Sequence, residues 1–472
     1  MNLLNKIRRF TTETSEIARK ARVSRVVPLL AIFFLWASAT STYGQANFTA
    51  ATAQTQPPPK TWIDADTGHR VTRLTDEPGS EALRSGHYAY TPDGLDMIYV
   101  SPQGIHVLNL ATLKTKLIVG GRTENVIVGT KTRRVFFRSR GWYLRVVDID
   151  TGQEKIVSKP GGYPLIGDLL SINADETLLV GTRVEPGTPD FIEFKSKATE
   201  EAHEHFKANP ANLPSNDEVA QNAKQMRLDA HIPEEMFTLN LQSGEVRTIL
   251  KGTDWLNKVQ FSPTDPDLIL YKHEAPYANT EVDRIWTIRA DGTQNQMIHQ
   301  RAIPREIATH AFWSRDGKTI WYELQKPIPN PPASTDHYLV GYDVATGKRR
   351  HFHMDQPEYS INYDAATNDN LFCGSGQQSK PAHGAAPVDS QTPGSGEWIE
   401  IFHPILNNGD IGTNTQNANS FRRERLVNIF NNHTRYGHPR FVSEVRFSPD
   451  DRLVIFTSDM FGPTYVFAVE VN

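Results

Sequence analysis

The stretch THAFWSRDGKTIWYEL (309–324) decides the fold of this chain. An apolar run ends in Phe312-Trp313, Ser-Arg-Asp-Gly follows, and a second apolar run, Ile320-Trp321-Tyr322, begins at once. Two short apolar runs around such a turn make a β-hairpin, because Asp and Gly accept the backbone angles that antiparallel strands need at their bend. The pattern recurs at AYTPDGLDMIYVS (89–101), IVGTKTRRVFFRS (127–139), SINADETLLVGTR (171–183), QFSPTDPDLILYK (260–272), NYDAATNDNLFCG (362–374) and RFSPDDRLVIFTS (446–458). With FWSRDGKTIWYEL (312–324) that makes seven copies.

A second hairpin follows most copies, as in IHVLNLATLKTKLIV (105–119), LRVVDIDTGQEKIVS (144–158) and VGYDVATGKRRHFHM (340–354). Apolar and polar residues alternate through these runs with no helical period. Each unit therefore reads as four antiparallel strands, and radial repetition of such units is the pattern of a β-propeller. The expected fold is all-β, a seven-bladed β-propeller with four-stranded antiparallel blades over residues 61–472. The last copy ends at TYVFAVEVN (464–472) without an outermost strand, whereas DADTGHRVTRLTD (64–76) reads as an isolated outer hairpin. The N-terminal strand is thus expected to close the ring and remove a free sheet edge. Two stretches interrupt the repeat: a charged, mainly helical insertion at 187–235 and a Gly/Pro/Ser-rich loop insertion at 375–435.

Composition narrows the function. A formal net charge of −4 over 472 residues, without a basic run in the mature part, argues against a nucleic-acid partner. Lys6, Arg8, Arg9, Lys20, Arg22 and Arg25 precede the apolar run VVPLLAIFFLWASA (26–39), and small residues follow. This predicts a signal peptide over 1–46 and a periplasmic or secreted protein. The run is shorter than the roughly 20 apolar residues that span a bilayer, so no membrane span is expected after cleavage. The Pro-rich segment 47–60 reads as a tether. Cys373 is the single cysteine, so no disulfide can form within the chain, and a small buried side chain is expected.

Four residues before the first turn residue of each copy stand His87, Asn125, Leu169, Lys258, His310, Ser360 and Glu444. Inner strands of a propeller line its channel, so this slot predicts a polar ring around one mouth. Such a ring can bind a divalent metal, neutralise an anion or move a proton. A wet channel that tolerates polar residues accounts for it equally. Elsewhere, His203 and His205 lie in a charged helical stretch and read as a solvated face, and Asp283-Arg284 reads as a structural ion pair. The chain has no Gly-x-Ser-x-Gly, Gly-x-Gly-x-x-Gly, P-loop or His-Glu-x-x-His motif.

The stretches TGHRVTRLT (67–75), NADETLLVGTRVE (173–185), TDWLNKVQFSPTDP (253–266), THAFWSRDGKTIWYELQ (309–325) and SDMFGPTYVFAVEV (458–471) resemble the oligogalacturonate lyase family. The resemblance implies metal-assisted β-elimination of acidic oligosaccharides released from pectin, with a divalent cation, typically Mn2+, held largely by histidines. It implies His310 as a metal ligand, and Glu444 stands where further metal-binding histidines are usual. Lys258 stands where the family offers a histidine proposed as base, and His231 where it offers an arginine. The expected site is therefore Lys258 and His231 for catalysis, His310 and Glu444 for metal, and His87, Ser360, Asn362 and His273 for substrate. Lys258 in place of histidine also leaves open a non-catalytic propeller that binds acidic sugars or a protein partner.

Overall fold

The computed structural model describes residues 58–84, 86, 88–139, 143–157, 167–185, 187–189, 191–208, 216–276, 282–327, 335–354, 360–376, 398–407, 419–429 and 443–471. The expected signal peptide and most of the expected tether lie outside these residues, as does His87. Among the described residues no helix is long and apolar enough to cross a membrane.

The chain folds into antiparallel sheets taken up in sequence order. Four are four-stranded, one has eight strands and one has five. A representative sheet pairs Trp255–Phe261, Leu268–Glu274, Ile285–Arg289 and Gln296–Met297 in that order. The eight-stranded sheet joins two such meanders through a short parallel contact, Phe352 to Asn419 and His353 to Ser420. In the five-stranded sheet, Arg70–Arg73 lies antiparallel to Tyr465–Glu470, and Thr61–Ile63 pairs outside it. The first two and the last of the described strands are thus stitched into one sheet. Val71 and Leu74 are fully buried there, and the Trp62 ring meets Phe467 edge-on at 5.8 Å.

Apolar clusters fill the spaces between consecutive sheets, because each strand points alternate side chains to opposite faces and both faces are covered. The aromatic cluster of Phe312, Trp321, Phe352, Tyr363, Phe372, Phe402 and Phe421 joins the two halves of the eight-stranded sheet. Each such side chain contributes about 1.5–3 kcal/mol by leaving water. Cys373 is a free, buried thiol in a neighbouring cluster.

The helical expectation over 187–235 meets two helices, α1 (Phe191–Ala208) and α2 (Asn216–Asp229). They pack through Phe194, Ala198, Val219 and Ala223, with Ile232 from the next strand approach. The loop expected over 375–435 needs correction, because Trp398–Ile405 and Asn419–Asn428 within it are paired strands. The Gly/Pro-rich stretch hid the apolar run of Trp398–Ile405 and the largely polar strand Asn419–Asn428 that pairs with it. The expected Asp283-Arg284 pair is also corrected. Adjacent residues on an extended chain point apart, so Arg284 turns to Glu274 at 3.5 Å and Asp283 to Arg301 at 3.7 Å.

Candidate functional site

Four inner strands bend at their slot in the same way. Two residues oppose one partner between Glu124 and Ile127, Asn257 and Gln260, Thr309 and Phe312, and Ile361 and Asp364. These are β-bulges, which re-aim side chains and sharpen the local twist. The bulged residues, and Glu444 at the same slot of the last copy, share one backbone conformation, with φ of 50° at Asn125, 51° at Lys258, 48° at His310, 54° at Asn362 and 44° at Glu444. A left-handed backbone costs a residue with a Cβ about 1–2 kcal/mol. Five such residues at one structural position hold strain where side chains are aimed rather than packed.

The bulge also settles the register of the sixth copy. Ala366 N–H donates to Leu371 O at 2.9 Å, as Ser314 N–H does to Thr319 O at 2.8 Å. The turn therefore starts at Ala366, and the slot residue is Asn362 rather than Ser360, whose backbone opens the strand Ser360–Ala365. In the third copy the register shifts between Leu169 and Ser171, but Leu169 itself stays paired with Gly181 and does not take the left-handed backbone.

Lys258, His310 and Asn362, from three consecutive copies, line one small cavity together with Gly86, Gln260, Ala311, Phe312 and Tyr363. Gly86 is required there. Its φ is +81°, and a Cβ would come within 2.7 Å of the Gln260 amide. Gly86, Gln260, Phe312 and Tyr363 also border a larger cavity of about 430 Å3, lined by residues from all seven copies. Among the described residues, the Lys258 ammonium has no carboxylate partner, so it offers a free positive charge to the cavity. His310 is fixed from behind: its Nδ1 lies 2.8 Å from Oε2 of Glu323, which is 2% exposed. The other oxygen of Glu323 accepts the Asn362 N–H at 3.2 Å.

Charge collects behind Lys258. Three cations surround the buried Glu274 carboxylate: Lys272 at 2.7 Å, Lys224 of α2 at 3.0 Å and Arg284 at 3.5 Å. Burial would push the Glu274 carboxyl up, yet Lys272, Lys224 and Arg284 together hold it far below its usual range. Burial pulls Lys272 down to about 8, against the pull of Glu274. Cations outnumber carboxylates here, which suits an anionic ligand nearby. α2 is tied to the same strand twice. Lys224 shares Glu274 with the Asn257 amide, and Arg227 meets buried Glu234 at 3.0 Å while that carboxylate also accepts the Leu256 N–H at 3.1 Å.

Other expected residues stand apart. Exposed His231 ends α2, with φ 47° and its N–H on Leu228 O, and it does not line the cavity of Lys258. His273 points from the strand face opposite Lys272, lies 3.0 Å from Asp254 and packs beside Tyr271 and Trp286. Burial lowers its pKa despite Asp254. Glu444 also stands outside that cavity; burial raises the carboxyl of Glu81, and the Glu444 charge adds to it. Among the described residues no three His, Cys, Asp or Glu side chains converge as a metal site would need. His310 alone of the expected pair reaches the cavity, so the described residues do not by themselves hold a divalent cation.

Sequence reasoning missed the buried residues that face the bulges from the second strand: Arg138, Thr182, Lys272, Glu323, Ser375 and Thr457. A signal was present. Each is a polar residue that closes an apolar run, as in VFFR, LILYK and IWYE.

The sheets, the ring of bulges and the cavity define an all-β repeat protein of propeller type with a cationic, imidazole-bearing site on its inner strands. The profile of the oligogalacturonate lyase family matches residues 231–472, more than half of the chain, and the chain belongs to that family. It is 24% identical over 428 residues to an oligogalacturonate lyase of Dickeya dadantii (strain 3937), covering 87% of this chain and 95% of that one. It is 25% identical over 427 residues, with the same coverage, to an oligogalacturonide lyase of Pectobacterium atrosepticum. Among solved structures, an oligogalacturonate lyase in complex with manganese aligns with a TM-score of 0.63 at 20% identity, over 87% of this chain and 96% of the other. The oligogalacturonate lyase of Vibrio parahaemolyticus aligns with the same TM-score and coverage at 19% identity, and both likenesses speak to the fold.

Proposed function

We propose that this protein is an exported lyase that cleaves oligogalacturonides or related uronic-acid oligosaccharides by β-elimination, within the breakdown of pectin. Its scaffold in this reading is a seven-bladed propeller closed by the N-terminal strand, and its site of action is the periplasm or the medium. One observation carries the reading: in a chain of this family, Lys258 and His310 stand side by side on successive bulges around one cavity.

The chemistry needs a charge partner and a base. The Lys258 ammonium pairs with the uronate carboxylate, and the cations around Glu274 add to the local potential. Offsetting that charge acidifies the proton at C5 of the sugar. His310 takes this proton at Nε2, since Nδ1 is engaged by Glu323. The C5 electron pair becomes the C4–C5 double bond, the bond from C4 to the glycosidic oxygen breaks, and that oxygen departs with a proton from solvent. No water is consumed. The manganese of the solved relative points to a divalent cation here as well. Such an ion would add Lewis-acid charge at the carboxylate, but the described residues do not hold one and no step above depends on it.

A second reading has its own support. Lys258 stands where the family resemblance implies a histidine, and a lysine ammonium suits the binding of an anion better than proton abstraction. The deciding experiment incubates the purified protein with oligogalacturonides, with and without Mn2+, and follows the ultraviolet absorbance of the unsaturated uronide. Lyase action requires a rise that His310→Ala and Lys258→Ala both lose. Uronide binding by calorimetry without any rise would establish the binding module.

A further inference from the structure

Behind the ring of bulges lies a second, buried polar ring whose members reach from one copy to the next. Arg138 donates to the Asn125 side chain at 3.2 Å and to Gly167 O of the following copy. Lys272 reaches Thr309 Oγ1 at 3.4 Å. Thr457, near the end of the chain, accepts the Ala82 N–H at 3.0 Å. Glu323 is the member that touches two slot residues at once, His310 through Oε2 and the Asn362 backbone through Oε1.

We propose that Glu323 is a positioning residue that fixes which nitrogen of His310 carries the proton. A carboxylate only accepts hydrogen bonds, and a neutral imidazole has one N–H and one lone pair. With both Glu323 oxygens turned to donors, the His310 proton sits on Nδ1 and the lone pair on Nε2, which Nδ1–Glu323 contact leaves for the cavity. Cross-strand pairing of Thr309 with Glu323 sets the carboxylate's height, and the bulge at His310 brings the ring down to it. The same carboxylate holds the Asn362 bulge, so it sets the spacing of two neighbouring slot residues.

The isosteric variant Glu323→Gln inverts this arrangement. Asn362 N–H needs an acceptor, so the new amide oxygen takes the Oε1 place and the NH2 group faces Nδ1. Nδ1 must then accept, and the proton moves to Nε2. The role in turnover rests on the lyase reading above; the tautomer does not.

The test is nitrogen-15 NMR of the full protein with labelled histidine, on the neutral ring, with His310 assigned by its loss in His310→Ala. Wild type is expected to show Nδ1–H at His310, and Glu323→Gln to show Nε2–H, with the thermal unfolding profile retained. In the uronide assay the variant should lose about 100- to 10,000-fold in kcat while KM changes less than about threefold, as when a wrong tautomer is imposed on a catalytic histidine. Thr457→Val, at the matching place in another copy, should leave the His310 signals unchanged. A wild-type proton on Nε2 would overturn the proposal even if the variant fails to fold, and so would an unchanged tautomer in a folded variant. Inversion without lyase activity in the wild type would sustain Glu323's role and reject the lyase reading.

Discussion

Replacing Lys258 by glycine should stabilise this protein and abolish its function at the same time. Lys258 is held at φ 51°, where a side chain with a Cβ costs about 1–2 kcal/mol and glycine pays no such penalty. Glycine's greater freedom in the unfolded chain takes back about 0.5–1 kcal/mol. Lys258 is half-buried, has no carboxylate partner among the described residues and belongs to none of the apolar clusters, so little packing is lost. The net expectation is a gain of about 0.5–1 kcal/mol, read as a higher urea midpoint at unchanged slope. Removing the ammonium should slow uronide cleavage by about 100- to 1000-fold, the usual effect of deleting one preorganised electrostatic contact. A Lys258→Gly protein that is clearly less stable than wild type would refute the strain argument, and one with unchanged turnover would remove Lys258 from the chemistry.

Two further predictions concern the frame. Burial raises the Glu234 carboxyl to about 7, against the pull of Arg227. A carboxyl raised in the folded state contributes stability that is present below its unfolded value near 4.5 and lost as pH climbs through 7. Unfolding free energy of wild type relative to Glu234→Gln should therefore fall between pH 5 and 8, by up to about 3 kcal/mol; a flat difference in paired denaturation curves would contradict it. Removing residues 1–73 should expose the edge of Tyr465–Glu470 and the pocket of buried Val71, costing at least about 1.5–3 kcal/mol and promoting association on size exclusion. A stable, monomeric truncated protein would show that the N-terminal strand is dispensable.

Much of this molecule was legible in one dimension. Strand alternation and the Ser/Thr-x-Asp-Gly turns act within a dozen residues, so seven copies could be counted from the sequence, and the slot four residues before each turn led to Lys258 and His310. The charged run around 190–230 announced helical structure for the same reason, since helical preference is local. What failed was whatever depends on distant partners. The degenerate turn of the sixth copy concealed its true start, and only the hydrogen bond from Ala366 to Leu371 moved the slot from Ser360 to Asn362. His231 and His273 carry suitable chemistry, but helix termination and strand parity turn them away from the cavity. Glu323 and Lys272 read as polar interruptions of apolar strands. Their significance arises because a bulge on one strand, a buried side chain on the next and a backbone N–H of the following copy meet at one point. The sequence by itself determined the repeat and the kinds of residue at the slot, because these follow from local periodicity. Tertiary structure alone decided which side chains share a cavity and which nitrogen of His310 faces it, because bulge geometry and cross-copy hydrogen bonds join residues that the chain keeps far apart.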